Sequence, residues 1–289
     1  MSDAQILDRG YRRYDGERGG QLAAMRTVAI QGFRSVLGLG RPARSKVLPV
    51  ISAVIAYLPA IVFVGLSVLI PGDFLDPTDI ADYAGYYGFI VSALALFTAL
   101  VAPEALTGDR RTGMIGLYLS TPLTRTTYLA AKLAAVAPTL AIVTIGPVML
   151  LLIGYTFENR GPDGFDGWLL VFGRIVLSGA VVSAVYASVS MAAASITDRR
   201  ALASAGVILT LIVSAAVGDA LVDAAELSGN FQLLNLLGVP FELVYRIYGQ
   251  DDGPLPDLDT LAVIATNLGW IVAGLGLTWW RYLRMEMTR

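Results

Sequence analysis

The chain contains neither cysteine nor histidine. Without cysteine there is no disulfide framework, no thiolate metal site and no thiol nucleophile. Without histidine there is no Ser-His or Cys-His catalysis, no HExxH zinc site and no histidine proton relay. Charge is also scarce: Asp, Glu, Lys and Arg make up 15% of the 289 residues, against about a quarter in soluble domains. Lysine occurs only at Lys46 and Lys132, so arginine carries nearly all the positive charge. No GxxxxGK[ST] run is present, so the usual nucleotide-phosphate loop is missing. The chain is therefore expected not to be an enzyme and to carry no cofactor or metal.

Apolar residues take the place of charge, at 55% of the chain, with a mean hydropathy of +0.64. That composition predicts an all-α polytopic membrane protein, because a helix satisfies its own backbone where water is absent. Six runs, near 47–70, 86–107, 128–154, 168–196, 201–219 and 260–283, reach the roughly 20 residues needed to cross ~30 Å of hydrocarbon. Loop charge orients them. The N-terminal arm, the Asp109–Arg125 loop, the Asp198-Arg199-Arg200 turn and the Arg281–Arg289 tail hold nearly all the basic residues. The alternate loops are acidic, with Asp73, Asp76, Asp79 and Asp82, then Glu158, Asp163 and Asp166, then Asp219 through Asp259. The positive-inside rule then places both termini in the cytoplasm.

Residues 231–249 are apolar enough to read as a seventh span, but that crossing would put Arg281, Arg284 and Arg289 outside. Pro240 splits the segment, and Glu242 with Arg246 forms an i,i+4 pair. It is expected to be a re-entrant or interfacial helix pair on the outer face, packed against protein. Residues 1–46 divide from the spans at 47–289. They comprise an irregular polar arm and a helix from Gln21 to Leu39, whose stripe is Leu22, Met25, Ala29, Phe33 and Val36. Arg41, Arg44 and Lys46 follow it, the pattern of a helix lying in the membrane interface.

Arg174 lies about two turns inside span four, where an unpaired charge is costly. Glu158 or an acid of the last outer loop is its expected partner, and Arg174, Glu242 and Arg246 are candidates for a pathway or gate. Ser178, Ser183, Ser188, Ser190 and Ser195 suit close helix packing. Pro138 and Pro147 should bend span three.

The stretch Pro103–Lys132 lies between two spans yet carries helix signals of its own. Asp109, Arg110 and Arg111 open it, Thr112 can cap a short helix, and Met114, Leu117 and Tyr118 share one face. Thr121-Pro122 suits a cap and first helical position, and Thr126 or Thr127 can cap the next helix. Glu104, Asp109-Arg110-Arg111, Gly113, Leu117, Leu119, Ser120-Thr121-Pro122-Leu123, Arg125 and Lys132 together resemble the first cytoplasmic loop of ABC-2 type transporter permeases.

The resemblance implies that this loop is a coupling helix docking in a groove of a separate ATPase subunit. The expected contacts are Glu104, Asp109, Arg110, Arg111, Gly113, Met114, Leu117, Tyr118, Pro122, Arg125 and Lys132, with Asp198, Arg199 and Arg200 as a second, minor set. Glu104 is expected to pair with Lys132 or with a residue of the interface helix. The expected assembly has two ATPase copies and a second or related permease among membrane lipids, without nucleic acid. Its expected place is a bacterial inner membrane and its direction export. A membrane enzyme, an ion-driven secondary transporter and a non-transporting scaffold are the alternatives. The first two call for intramembrane carboxylates that the spans do not offer.

The charge split yields a first prediction. Single cysteines at positions 79 and 252 should react with an impermeant thiol reagent in intact cells, and those at 18, 111 and 289 only after lysis. Protection of position 252 until lysis would contradict the outer placement of the 231–249 segment.

Overall fold

The computed structural model describes residues 19–69 and 82–285. The N-terminal arm through Arg18, the acids Asp73, Asp76 and Asp79, and Arg289 lie outside the described residues. Within them, regular structure is helical throughout. Six segments are long and apolar enough to cross a membrane: Val47–Leu69, Tyr86–Arg111, Arg125–Phe157, Gly164–Ile196, Arg200–Ala224 and Thr260–Arg284. These are the six expected runs, with the bounds of several extended.

Before them comes α1 (Gln21–Val36), and span one is α2 (Val47–Leu69). Span two divides into α3 (Tyr86–Leu100) and α4 (Glu104–Arg111), and α5 (Met114–Leu119) follows as a short separate helix. Span three divides into α6 (Arg125–Thr144) and α7 (Gly146–Phe157). Span four is α8 (Gly164–Ile196) and span five starts as α9 (Arg200–Asp219). After α9 come a short π-helical turn, a 3-10 turn at Gly229–Leu234, α10 (Val239–Tyr248) and finally span six, α11 (Thr260–Arg284).

The helix α8 is the central post, packed by α6, α9, α10 and α11. Around it the largest fully buried side chains are aromatic or aliphatic, among them Tyr87, Phe97, Tyr155, Tyr186 and Leu140. Its serines are buried and bonded within the bundle. Ser178 meets the Tyr87 hydroxyl at 3.1 Å, Ser183 meets Thr144 at 2.8 Å, and Ser190 donates to Thr98 O at 3.3 Å. The serine stripe is thus used for close packing.

Both breaks have local causes. Pro103 lacks an N–H, the ladder fails at Val101–Pro103, and Glu104 N donates to Val101 O in place of Leu100 O. In span three Pro138 is carried inside α6, and the break falls at Ile145, ahead of Pro147. There span one presses in: a Cβ on Gly146 would lie 1.7 Å from the Tyr57 hydroxyl, which donates to Ile142 O at 2.9 Å.

The segment read as re-entrant is a 3-10 turn followed by ten helical residues. At 1.5 Å per residue α10 spans about 15 Å, half of a bilayer core, so it does not make a seventh crossing. Its acid is buried: Glu242 is fully covered, lies 2.8 Å from Arg246 Nε and accepts from Leu255 N at 2.8 Å. Arg246 reaches on to Asp251 at 2.7 Å and to Pro256 O at 2.8 Å. Glu242 and Arg246 thus fasten the 251–258 loop over α10. Arg174 departs from expectation: among the described residues it forms no ion pair, and the Tyr248 ring lies 5.9 Å from its guanidinium. Aromatic faces attract guanidinium without the desolvation of a second charge.

The Gln21–Leu39 helix is present but rotated from the expected stripe. Val28, Gly32 and Val36 are buried, Met25, Ala29 and Phe33 are half-buried, and Leu22 is exposed. Its buried side lies on α6, where a Cβ on Gly32 would approach Ala135 Cβ at 2.9 Å. The helix of the 1–46 segment is therefore part of the bundle.

Removing one partner of a buried pair leaves the other charge stranded. Glu242→Ala should cost about 3–5 kcal/mol, read as lowered thermal stability in detergent. Asp251→Ala, which removes the exposed partner of Arg246, should cost about 0–1 kcal/mol. Equal losses would contradict the assignment of Glu242 as the anchor of this loop.

A candidate partner-docking surface at the basic end

The last four carbonyls of a helix have no partner inside it, and they carry the negative end of the helix dipole. Helix α3 of span two, α8 and α11 all finish toward the basic end, and each finish is met by an arginine from another segment. Arg200 donates to Leu100 O, the carbonyl released by the Pro103 break. Arg110 donates to Ser195 O at 2.6 Å and Thr197 O at 3.1 Å at the end of α8. Arg125 donates to Tyr282 O at 2.8 Å and Leu283 O at 2.6 Å at the end of α11. Three residues expected to reach for a partner are thus engaged within the fold.

The acids of this end are shared out in the same way. Glu104 sits between Arg41 at 2.8 Å and Arg200 at 3.0 Å. It does not pair with Lys132, because Asp109 holds that lysine at 2.6 Å. Arg41, just after the interface helix, also donates to Ser35 Oγ at 2.8 Å. Lys132 is only 4% exposed, and its ammonium lies 5.7 Å from the Tyr118 ring and 5.6 Å from the Tyr128 ring. The Tyr128 hydroxyl donates to Asp109 at 2.8 Å, and its ring meets Tyr282 of α11 at 6.1 Å. Burial first, and the Asp109 carboxylate second, raise the Tyr118 phenol above its ordinary pKa, so this ring stays neutral beside the acid.

On this base α5 is set like a short bar. Gly113, at φ +69°, turns the chain out of α4 and precedes α5. That left-handed conformation suits glycine and strains other residues. Thr112 therefore ends α4 and does not cap α5. Residues 120–122 form a turn and the next helix begins at Arg125, so Thr121-Pro122 does not start a helix. The cap of α6 is Thr124, which accepts from Thr127 N while the Thr127 hydroxyl accepts from Thr124 N. Thr127 thus serves three residues inside the helix as the reciprocal partner, and Thr126 instead meets Trp279 Nε1 at 3.3 Å.

Ile115 is the buried anchor of α5, while Met114 is 37% and Leu117 is 62% exposed. Tyr118, expected on the same outward face, turns in against Tyr128 and Lys132. Arg111, Gly113, Gly116 and Pro122 are exposed beside Met114 and Leu117 in the chain, as are Asp198 and Arg199 on the turn after α8. Residue-type reasoning missed Ile115, Arg41, Tyr128 and Tyr282. Of these Tyr128 had a signal, being four residues before Lys132 and so on the same helix face. The three pathway candidates, Arg174, Glu242 and Arg246, lie away from this cluster.

Residues 18–287 match the family described as ABC-2 family transporter protein. The chain belongs to the ABC-2 transporter family. It is the permease component of an ABC transporter and a multi-pass membrane protein. No match is found among curated proteins. In this ABC-2 permease the loop after span two is a surface of two exposed apolar residues and a charged border, mounted on a buried ion pair and three arginine-capped helix ends.

Asp109→Ala strands a buried ammonium and should lower stability by about 3–5 kcal/mol. Adding Lys132→Met to it should restore most of that loss. Tyr128→Phe, which removes one hydrogen bond, should cost about 1 kcal/mol. Thermal unfolding of the three variants and the wild type in detergent checks this, and a double variant no better than Asp109→Ala would contradict the pairing.

Proposed function

We propose that this permease is the membrane half of an exporter worked by a separate ATPase subunit, and that α5 is the coupling helix received by a groove of that subunit. The single observation that carries the reading is the outward pair Met114 and Leu117 on a base whose other side chains are committed to the fold. An apolar centre with a polar border is the anatomy of a binding patch. Arg111, Asp198, Arg199 and Pro122 form that border, where charges tune encounter more than affinity. Two permease copies and two ATPase copies complete the assembly in a bacterial inner membrane, with the basic end cytoplasmic.

This chain hydrolyses no ATP itself, and its part is mechanical. Force applied at α5 reaches span four through Arg110, span six through Arg125 and span three through Asp109–Lys132. Glu104 with Arg41 and Arg200 ties the same end to the interface helix and span five. The ion-driven alternative needs an acid free to exchange protons in the membrane. Among the described residues the fully buried acid is Glu242, and it is committed to Arg246 and the outer loop.

Leu117→Asp puts an unpaired charge into the apolar contact and should weaken ATPase binding by about 2–4 kcal/mol, with the permease still folded because Leu117 is exposed. Copurification of the ATPase with wild-type and variant permease measures it, with thermal unfolding as the folding control. Full retention of the ATPase by Leu117→Asp combined with Met114→Asp would overturn the docking assignment.

A further inference from the structure

Between α8, α9 and α11 an apolar furrow of about 410 Å3 opens on the surface of the spans, lined by Ala192, Ile196, Leu202, Gly206, Trp270 and Leu277. Trp270 and Ala273 also line a second hollow of about 430 Å3, which extends along α11 to Thr266 and reaches Phe231 of the 3-10 turn. From Leu277 to Thr266 the furrow follows eleven residues of α11, about 17 Å at 1.5 Å per residue. That is close to half of the ~30 Å hydrocarbon core, one leaflet deep. At the basic end its rim carries Arg281, whose Nη2 lies 3.4 Å from the carbonyl of the lining residue Ile196. Arg110, Arg125 and Arg200 each hold helix carbonyls at shorter range, whereas among the described residues Arg281 makes this one long bond, which leaves its other donors available there.

We propose that the furrow is a binding site for an anionic phospholipid, with one acyl chain along α11 and the phosphate against Arg281. The furrow's length fits one leaflet, and Arg281 stands where a headgroup would be. Guanidinium matches phosphate in charge and in planar donor geometry. The site is separate from α5 and does not depend on the docking of an ATPase.

The test uses the full chain in phosphatidylcholine vesicles containing phosphatidylglycerol, with brominated chains on one lipid or the other as quenchers of tryptophan fluorescence. Subtracting the Trp270→Phe signal isolates Trp270 from Trp168, Trp279 and Trp280. Brominated phosphatidylglycerol should quench Trp270 with about fivefold preference over brominated phosphatidylcholine, the gain that one basic side chain has near an anionic headgroup. Arg281→Gln should abolish the preference and Arg281→Lys should keep it. Gly206→Phe should abolish it with Arg281 intact, since a Cβ there meets only Ala193 at 3.7 Å and the ring can fill the furrow. Equal quenching by the two lipids in the wild type overturns the proposal, as does a preference that survives either Arg281→Gln or Gly206→Phe. So does an absence of Trp270 quenching by both lipids, the result if a helix of a second copy occupies the furrow.

Discussion

A helix that ends at a membrane surface must find donors for its last carbonyls, and this requirement organises the basic end of the permease. Arginine suits it because one planar guanidinium reaches two or three carbonyls at once and keeps its charge under all conditions. Arg110 and Arg125 do this for spans four and six from positions on either side of α5. Arg200 does it for span two while holding Glu104. Charges that the positive-inside rule counts as topology signals are here also structural staples between segments distant in sequence.

One consequence concerns what is left over. Capping and pairing remove most charged side chains of the loop from the surface, so its free face is small and largely apolar: Met114 and Leu117, flanked by glycines. The helix of six residues is too short to be stable alone. It is held by Ile115 below and by Tyr118 against Tyr128. A short helix fixed at its underside and connected to three spans is suited to passing on a push, whereas a free loop would absorb it.

The span count, the ten-residue α10 and the Glu242–Arg246 pair were legible because each rests on a local pattern: run length, Pro240, and i,i+4 spacing. Partners at the basic end were not, for a physical reason. The arginines bond to backbone carbonyls, which every residue carries, so no residue type marks the acceptor. The direction of Tyr118 was hidden too, because in a six-residue helix of MIGLYL both faces read as apolar. Five threonines from Thr112 to Thr127 can cap, and only the Thr124–Thr127 reciprocity selects one. Likewise Glu104 had two bases in plausible reach, and the prior claim of Asp109 on Lys132 decided the pairing.

The central claim is that Arg110 and Arg125 make α5 and the ends of spans four and six one mechanical unit. Hydrogen–deuterium exchange of the permease–ATPase complex, with and without a non-hydrolysable ATP analogue, tests it without knowledge of the cargo. The account predicts that nucleotide changes protection in 113–120 together with 192–197 and 280–284. With Arg110→Ala the change at 192–197 should disappear while that at 113–120 and 280–284 persists. A wild-type response confined to 113–120, or one at 192–197 that is indifferent to Arg110, would contradict it.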